Sequence, residues 1–237
     1  MADIVVQPEV RQRLCLALDV DDAVEAIILA RQLKPWFGVA KIGLELFTAS
    51  GPDTCARLVA EGFDVFLDLK LHDIPNTVYR AAKVAGSFGV KYLTLHTQGG
   101  SDLLRAGVDG FLEGADLADL AEPVPLGVTI LTSDATAPSH ILGKRLMAAM
   151  EGGCKGVVCA ADDLREVYEL APRMVRVVPG IRPLKAAQDD QARPATPKQA
   201  IVGGADLLVV GRAVTEAENR PKAAAAILAE VTKALAS

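Results

Sequence analysis

Short apolar runs typical of buried strands recur along the whole chain, and longer stretches rich in Ala, Leu, Glu and Arg separate most of them. The eight strand-like runs cover residues 13–19, 37–43, 64–70, 91–96, 125–132, 155–160, 174–180 and 205–211. The helix-like stretches include 22–34, 101–113, 140–151, 162–171 and the C-terminal segment 221–236. Because strands that alternate with helices form βα units, this pattern predicts a parallel sheet.

The number and spacing of the βα units favour a (β/α)8 TIM barrel formed by one domain, residues 1–237. One unit in roughly 30 residues gives a chain close to the usual barrel length of ~250 residues. A doubly wound open sheet is the competing architecture. Its dinucleotide-binding form carries G-x-G-x-x-G after the first strand, where this chain has ALDVDD, residues 17–22. No low-complexity tract or composition break indicates a second domain.

Side-chain alternation along the strand-like runs predicts which residues face the barrel interior. In a strand, residues two apart share a face. The leucines of the first run share one face, and the smaller residues share the other, which ends at Asp19. In the third run, Asp68 and Lys70 share a face in the same way. We expect these charges at the C-terminal mouth of the barrel, where Lys41 reaches from the second run and where barrel enzymes carry their chemistry.

The predicted mouth contains an alternating array of lysines and carboxylates. Buried charges are costly unless they are paired, so one alternative is an ion pair that closes the mouth and has no catalytic part. Carboxylate neighbours favour the charged ammonium of Lys70. A protonated lysine suits a general acid or a group that stabilises developing negative charge. It suits a Schiff-base nucleophile poorly, since that role needs a neutral amine.

The segment DLKLHDIPNTV, residues 68–78, resembles the active-site motif D-x-K-x-x-D-I-P-x-T of the orotidine 5′-phosphate decarboxylase family. Further landmarks follow the family's order: ALD (17–19), KIGLELF (41–47), LHTQGG (95–100), LTS (131–133), VPGIRP (178–183) and VVGRAVTEAENRP (209–221). The resemblance covers almost the whole chain and is similar to the compact bacterial branch. It implies decarboxylation of orotidine 5′-monophosphate to uridine 5′-monophosphate without a cofactor, the last step of de novo pyrimidine nucleotide synthesis.

The resemblance also implies a catalytic set of Lys70, Asp68, Asp73 and Lys41. Lys70 matches the lysine that supplies a proton to C6 of the pyrimidine, and Asp68 matches the aspartate near the departing carboxylate. Asp73 and Thr77 match residues that enter the site from the other subunit of a homodimer. The expected active sites are therefore shared between two subunits.

The substrate-binding set implied by the resemblance is Asp19, Lys41, Asp68, Thr77, Thr132, Ser133, Pro179, Arg182, Gln191, Gly211 and Arg212. In the family, the ribose is bound at the positions of Asp19 and Lys41, and the pyrimidine edge at those of Thr132 and Ser133. The resemblance implies that the phosphate is bound by Arg182, Gln191, Gly211 and Arg212. Loops after strands seven and eight are a frequent phosphate site in barrels. The long polar loop 182–197 is predicted to close over that phosphate as a lid.

Composition and charge limit the classes of binding partner and the cellular compartment that fit this chain. The net charge is −5 with a pI near 5.3, and the basic residues are scattered, which argues against nucleic acid or an anionic membrane surface. No apolar stretch reaches the ~18 residues of a membrane span, and the first residues lack a secretory signal pattern. Four cysteines without a CxxC pair predict a cytoplasmic protein without disulfides. No His or Cys spacing indicates a metal site.

Three other functions fit parts of the pattern. Sister enzymes of the same superfamily, which decarboxylate or cleave sugar phosphates with magnesium, resemble the D-x-K-x-x-D core, but they carry a glutamate ligand where this chain has Lys41. A lysine at that position repels a divalent cation. A Schiff-base aldolase acting through Lys70 is the second alternative. A nucleotide-binding scaffold without activity is the third.

Overall fold

The computed structural model describes residues 7–131, 133–134, 136–138, 140–183 and 194–236. Eight parallel strands form one closed barrel, in which each strand pairs with the next and the eighth pairs with the first. The strands are β1 (Leu14–Leu18), β2 (Val39–Ile42), β3 (Asp64–Leu71), β4 (Tyr92–His96), β5 (Val124–Val128), β6 (Gly156–Val158), β7 (Val175–Val178) and β8 (Leu207–Val210). The predicted (β/α)8 barrel is confirmed, and the open doubly wound sheet is excluded.

Helices follow the strands on the outside of the barrel. In the described ranges they are α1 (Pro8–Arg11), α2 (Ala23–Leu33), α3 (Leu44–Ser50), α4 (Asp53–Ala60), α5 (Pro75–Gly86), α6 (Gly100–Leu117), α7 (His140–Glu151), α8 (Leu164–Leu170), α9 (Pro197–Val202), α10 (Arg212–Thr215) and α11 (Arg220–Leu235). Short 3-10 helices, Thr97–Gly99 and Ala161–Asp163, precede α6 and α8. Each predicted helical stretch contains a helix. No helix in the described part of the chain has the length and apolar character needed to cross a membrane.

Two apolar layers separate along each strand, as the alternation predicts. The leucines of β1 pack outward against the helices, in one continuous cluster with the helix residues. A second, smaller cluster fills the barrel interior and consists of Cys15, Ala17, Val39, Phe66, Tyr92, Leu126, Val177, Leu207 and Val209. This interior cluster lies below the inward-facing charges, so apolar residues surround those charges on the side away from the barrel mouth.

Helix α5 is held unusually close to α6. A Cβ on Gly110 or Gly114 of α6 would collide with the carbonyl oxygens of Tyr79 and Lys83 on α5, so glycine at these positions allows the backbones to touch. Pro75 begins α5, where the missing N–H and fixed φ of proline cost little. The segment that follows β3 is therefore anchored at a defined place on the barrel surface.

Strand β5 ends at Val128, earlier than the apolar run 125–132 predicts. The N–H and the hydroxyl of Thr129 both donate to the carbonyl of Val158, at 3.2 and 2.8 Å. The next apolar side chains, Ile130 and Leu131, line the cavity at the barrel mouth. The apolar run is longer than the strand because Ile130 and Leu131 form part of the cavity wall and not of the sheet.

Candidate active site

Four charged side chains form a continuous array at the C-terminal ends of β1, β2 and β3. The Lys41 ammonium donates to Oδ1 of Asp19 at 2.9 Å and lies 3.9 Å from Oδ2 of Asp68. The Lys70 ammonium donates to that same Oδ2 of Asp68 at 2.8 Å. The alternating array expected from strand parity is therefore present, and Asp68 is shared by two lysines.

Lys41 is the most buried member of the array, with 11% of its side chain exposed. Burial acts to lower the pKa of Lys41, but the nearby carboxylates of Asp19 and Asp68 together outweigh it, so the pKa lies above its ordinary value. Lys41 is thus a permanent positive charge at neutral pH. Gly43 leaves room for the ion pair, since a Cβ there would lie 3.1 Å from the ammonium of Lys41 and 3.3 Å from Oδ1 of Asp19.

The backbone at Lys70 is in a left-handed conformation, with φ near 50°. Such a conformation is uncommon for a residue other than glycine and is often associated with functional sites. The pairing of β3 with β4 is irregular between Leu67 and Leu71, so Lys70 lies within an interruption of the ladder. The N–H of Lys70 donates instead to the Thr94 hydroxyl at 2.9 Å. That hydroxyl donates in turn to Oδ1 of Asp68 at 2.9 Å.

A cavity of about 330 Å³ opens above the array. One side is charged and is formed by the array itself. The other side combines apolar residues from β5, β6 and β8 with the loops that follow β7 and β8. The residues of that second side include Val128, Ile130, Leu131, Ser133, Val158, Pro179, Gly180, Ile181, Arg182, Val209, Gly211, Arg212 and Ala213. The cavity thus brings an apolar wall and two arginines together with the lysine–carboxylate array.

Most of the residues predicted for the site line this one cavity. They are Asp19, Lys41, Asp68, Lys70, Ser133, Pro179, Arg182, Gly211 and Arg212. Their individual roles stay predictions. Thr132, Gln191 and residues 184–193 of the predicted lid lie outside the described residues.

Asp73 and Thr77 are not among the residues that line the cavity of their own chain, in the part of the chain that the structure describes. Both are exposed, and the Asp73 carboxylate accepts a hydrogen bond from the N–H of Ile74 at 2.7 Å. Their position leaves them able to meet another molecule, as the predicted shared site requires.

Thr94 is a site residue that the sequence pattern did not single out. It is fully buried on β4, between two outward-facing leucines, and so shares the inward face with His96. A polar residue on the inward face of a barrel strand was the available signal. Within the described ranges, no group of three or more His, Cys, Asp or Glu side chains is arranged to hold a metal ion.

Comparisons with known proteins show which family this chain is similar to. A family model described as the orotidine 5′-phosphate decarboxylase / HUMPS family matches residues 12–227. The orotidine 5′-phosphate decarboxylase of Heliobacterium modesticaldum is 39% identical over 242 residues, covering 96% of this chain and 99% of the relative. That of Halorhodospira halophila is 42% identical, covering 94% and 97%. The crystal structure of orotidine 5′-phosphate decarboxylase from Lactobacillus acidophilus matches with a TM-score of 0.78 at 33% identity, over 93% of this chain and 99% of that one. This chain belongs to the orotidine 5′-phosphate decarboxylase / HUMPS family.

Proposed function

We propose that this protein decarboxylates orotidine 5′-monophosphate to uridine 5′-monophosphate, the last step of de novo pyrimidine nucleotide synthesis, without a cofactor. The observation that carries the proposal is the partly buried array in which Asp68 is shared by Lys41 and Lys70 beside a nucleotide-sized cavity. Family membership supports the same reaction, since relatives that match nearly the full chain are orotidine 5′-phosphate decarboxylases.

In this reaction the bond between C6 and the carboxylate breaks, and its electron pair stays on C6 as carbon dioxide leaves. Lys70 transfers a proton from its ammonium to C6 and becomes a neutral amine. Negative charge moves away from Asp68 and towards Lys70 as the bond breaks. The array therefore stabilises the transition state more than the bound substrate, which is the requirement for a faster chemical step.

The remaining cavity residues suit the other parts of the nucleotide. Asp19 and Lys41 are proposed to bind the ribose hydroxyls, and Ser133 the edge of the pyrimidine. The phosphate is assigned to the rim where Pro179, Arg182, Gly211 and Arg212 follow β7 and β8. Arginine binds phosphate through two parallel hydrogen bonds, and glycine lets backbone N–H groups approach it. Thr132 and Gln191 keep their proposed contacts to the pyrimidine edge and the phosphate.

The proposed assembly is a homodimer in which Asp73 and Thr77 complete the partner's cavity. Ile74, between them, is 66% exposed, which is unusual for a large apolar side chain and suits a buried interface. Mixing inactive Lys70→Ala and Asp73→Ala enzymes tests this arrangement. Random exchange makes half of the dimers hybrids with one intact site each, so about a quarter of the wild-type activity returns. If Asp73 acts within its own chain, no activity returns.

The alternative within the family is a magnesium-dependent enzyme acting on a sugar phosphate. The cationic Lys41, held between Asp19 and Asp68, disfavours a divalent cation at this point. A Schiff-base aldolase is disfavoured by the ion pair between Lys70 and Asp68, because that chemistry needs a neutral amine. Localisation in the cytoplasm is proposed as well. The four cysteines are buried and form no disulfide in the described part of the chain, which fits a reducing compartment.

The loss of orotidine 5′-monophosphate absorbance by the purified protein tests the proposed activity directly. We expect turnover at the same rate with and without a metal chelator, and no borohydride-trapped adduct on Lys70. Absence of turnover would defeat the proposal. Activity that a chelator abolishes and magnesium restores would favour the metal-dependent reaction instead.

A further inference from the structure

We propose that Thr94 is a positioning residue whose single hydroxyl sets the orientation of both Asp68 and Lys70. The inference rests on the proposed decarboxylation, in which Lys70 delivers the proton. Thr94 acts from the neighbouring strand β4 and through the two charged residues, and it is not among the residues that line the described cavity.

The hydroxyl of Thr94 has two partners on β3. It donates its proton to Oδ1 of Asp68 at 2.9 Å and accepts the N–H of Lys70 at 2.9 Å. A hydroxyl has one proton to donate, so this arrangement commits it to the carboxylate. With Oδ1 held by Thr94, the other oxygen of Asp68 faces the two lysines. The hydroxyl therefore selects which carboxylate oxygen meets the ammonium groups.

The second hydrogen bond supports an unfavourable backbone conformation. A non-glycine residue in the left-handed region is strained and persists there only when its surroundings hold it. The ladder between β3 and β4 is interrupted at this point, so regular strand pairing does not hold Lys70. Thr94 is fully buried, and its hydroxyl takes the N–H that the ladder would otherwise bind. Loss of the hydroxyl frees the backbone of Lys70 to move towards a commoner conformation.

For catalysis, the conformation of Lys70 determines where its ammonium lies in the cavity. The ammonium of Lys70 reaches the cavity from a backbone whose direction depends on this conformation. A shift of about 1 Å in a reacting group reduces a rate by roughly 10²-fold. Substrate binding at the phosphate rim does not involve Thr94. We therefore expect the hydroxyl to affect kcat and to leave binding nearly unchanged.

Replacing the hydroxyl without changing the shape of the side chain tests the proposal. Thr94→Val removes both hydrogen bonds, and Thr94→Ser keeps the hydroxyl. Thr97→Val is the matched control, because Thr97 is also buried and its hydroxyl donates to the carbonyl of Val128 at 2.6 Å, away from the charged array. Comparison with this control separates the loss of one buried hydrogen bond from the loss of positioning.

For Thr94→Val we expect kcat per folded protein to fall about 10²-fold, with KM and the Kd for uridine 5′-monophosphate little changed. Thr94→Ser is expected to restore most of the rate, and Thr97→Val to keep it. A wild-type kcat in Thr94→Val overturns the proposal, as does an equal fall in Thr94→Ser. So does a fall in Tm of Thr94→Val without a fall in kcat per folded protein.

A crystal structure of Thr94→Val gives a second test that needs no activity. We expect the φ of Lys70 to leave the left-handed region, or its ammonium to leave Oδ2 of Asp68. An array unchanged from the wild type overturns the proposal even if the wild type fails to turn over orotidine 5′-monophosphate. Failure of the positioning role and failure of the proposed reaction are thus distinguished.

Discussion

Strand β3 contributes a carboxylate near each end to an ion pair with a lysine, and the two ion pairs have nearly the same length. At the N-terminal end, the ammonium of Lys91 lies 2.7 Å from Oδ2 of Asp64. At the C-terminal end, the ammonium of Lys70 lies 2.8 Å from Oδ2 of Asp68. Distance and residue type therefore do not distinguish a structural ion pair from a catalytic one.

The surroundings of the two pairs differ. Asp68 is shared with a second lysine, is bound by a buried threonine and borders a cavity. Asp64 is about twice as exposed, at 31% against 14% for the side chain of Asp68, and its lysine lies over the ring of Tyr92. Charges at the C-terminal end of barrel strands meet the loops that bind substrate, whereas those at the other end stabilise the barrel.

Lys70→Ala and Lys91→Ala test this contrast with the largest expected effect. We expect Lys70→Ala to lose activity by about 10⁴-fold, the upper end of what a general acid contributes. Lys91→Ala removes an ion pair of the same length and is expected to keep kcat. Decay of orotidine 5′-monophosphate absorbance measures both, and circular dichroism checks that each variant is folded. Substantial activity in Lys70→Ala would refute its role as proton donor.

Two arginines near opposite ends of β7 and β8 show the same contrast between the C-terminal and N-terminal ends of the barrel. Arg212 lines the cavity after β8, while Arg176 of β7 binds Asp206 at 2.9 Å near the opposite end. A charge-assisted hydrogen bond to phosphate contributes about 1.5–3 kcal/mol. We therefore expect Arg212→Ala, which removes this bond, to lower kcat/KM about 10- to 100-fold. Arg176→Ala is expected to lower Tm and to keep kcat/KM per folded protein.

The nucleoside orotidine, which lacks the phosphate, is the control substrate for this prediction. Wild type and Arg212→Ala should turn it over equally slowly, because neither makes a phosphate contact. If Arg212→Ala is impaired to the same extent on both substrates, its effect does not pass through the phosphate. The wild-type kcat/KM for orotidine also tests the predicted lid, since an undiminished value would exclude closure driven by phosphate binding.

The smallest expected effect concerns stability at alkaline pH. Burial acts to lower the pKa of Lys41, and its two carboxylate neighbours raise it above the ordinary value of 10.5. A lysine whose pKa is raised by folding stabilises the protein below its unfolded pKa, and this contribution is lost as pH rises through the folded pKa. Urea unfolding should therefore show a loss of stability above about pH 10.5 that is smaller in Lys41→Met.

Lys91→Met is the matched variant for this measurement. Burial also acts to lower the pKa of Lys91, but its interactions with Asp64 and Tyr92 together raise that pKa above the ordinary value. Because Lys91 is more exposed than Lys41, water screens its ion pair more strongly. We expect Lys91→Met to change the alkaline loss of stability less than Lys41→Met does. A larger effect for Lys91→Met would show that the ion pairs of Lys41 do not contribute more to stability than the ion pair of Lys91.

Periodicity in the sequence was sufficient for the barrel and for the charged array, while the other predicted site residues came from the resemblance to the family. The eight apolar runs and their alternation identified all eight strands and the inward face that carries Asp68 and Lys70. Strand parity succeeds here because it depends on local backbone geometry, which each run carries by itself. The apolar run 125–132 predicts a longer β5 than the structure has, because composition does not distinguish apolar residues that line a cavity from those in a sheet.

The sequence by itself thus determined the fold, the inward face of the strands and the charged motif that begins at Asp68. The tertiary structure alone decided that Thr94, 26 residues beyond Asp68, bridges Asp68 and the backbone of Lys70. It also decided that the backbone of Lys70 is left-handed where the ladder between β3 and β4 is interrupted. Both depend on the register and local irregularity of paired strands, which bring distant residues together and have no counterpart in the spacing along a single strand.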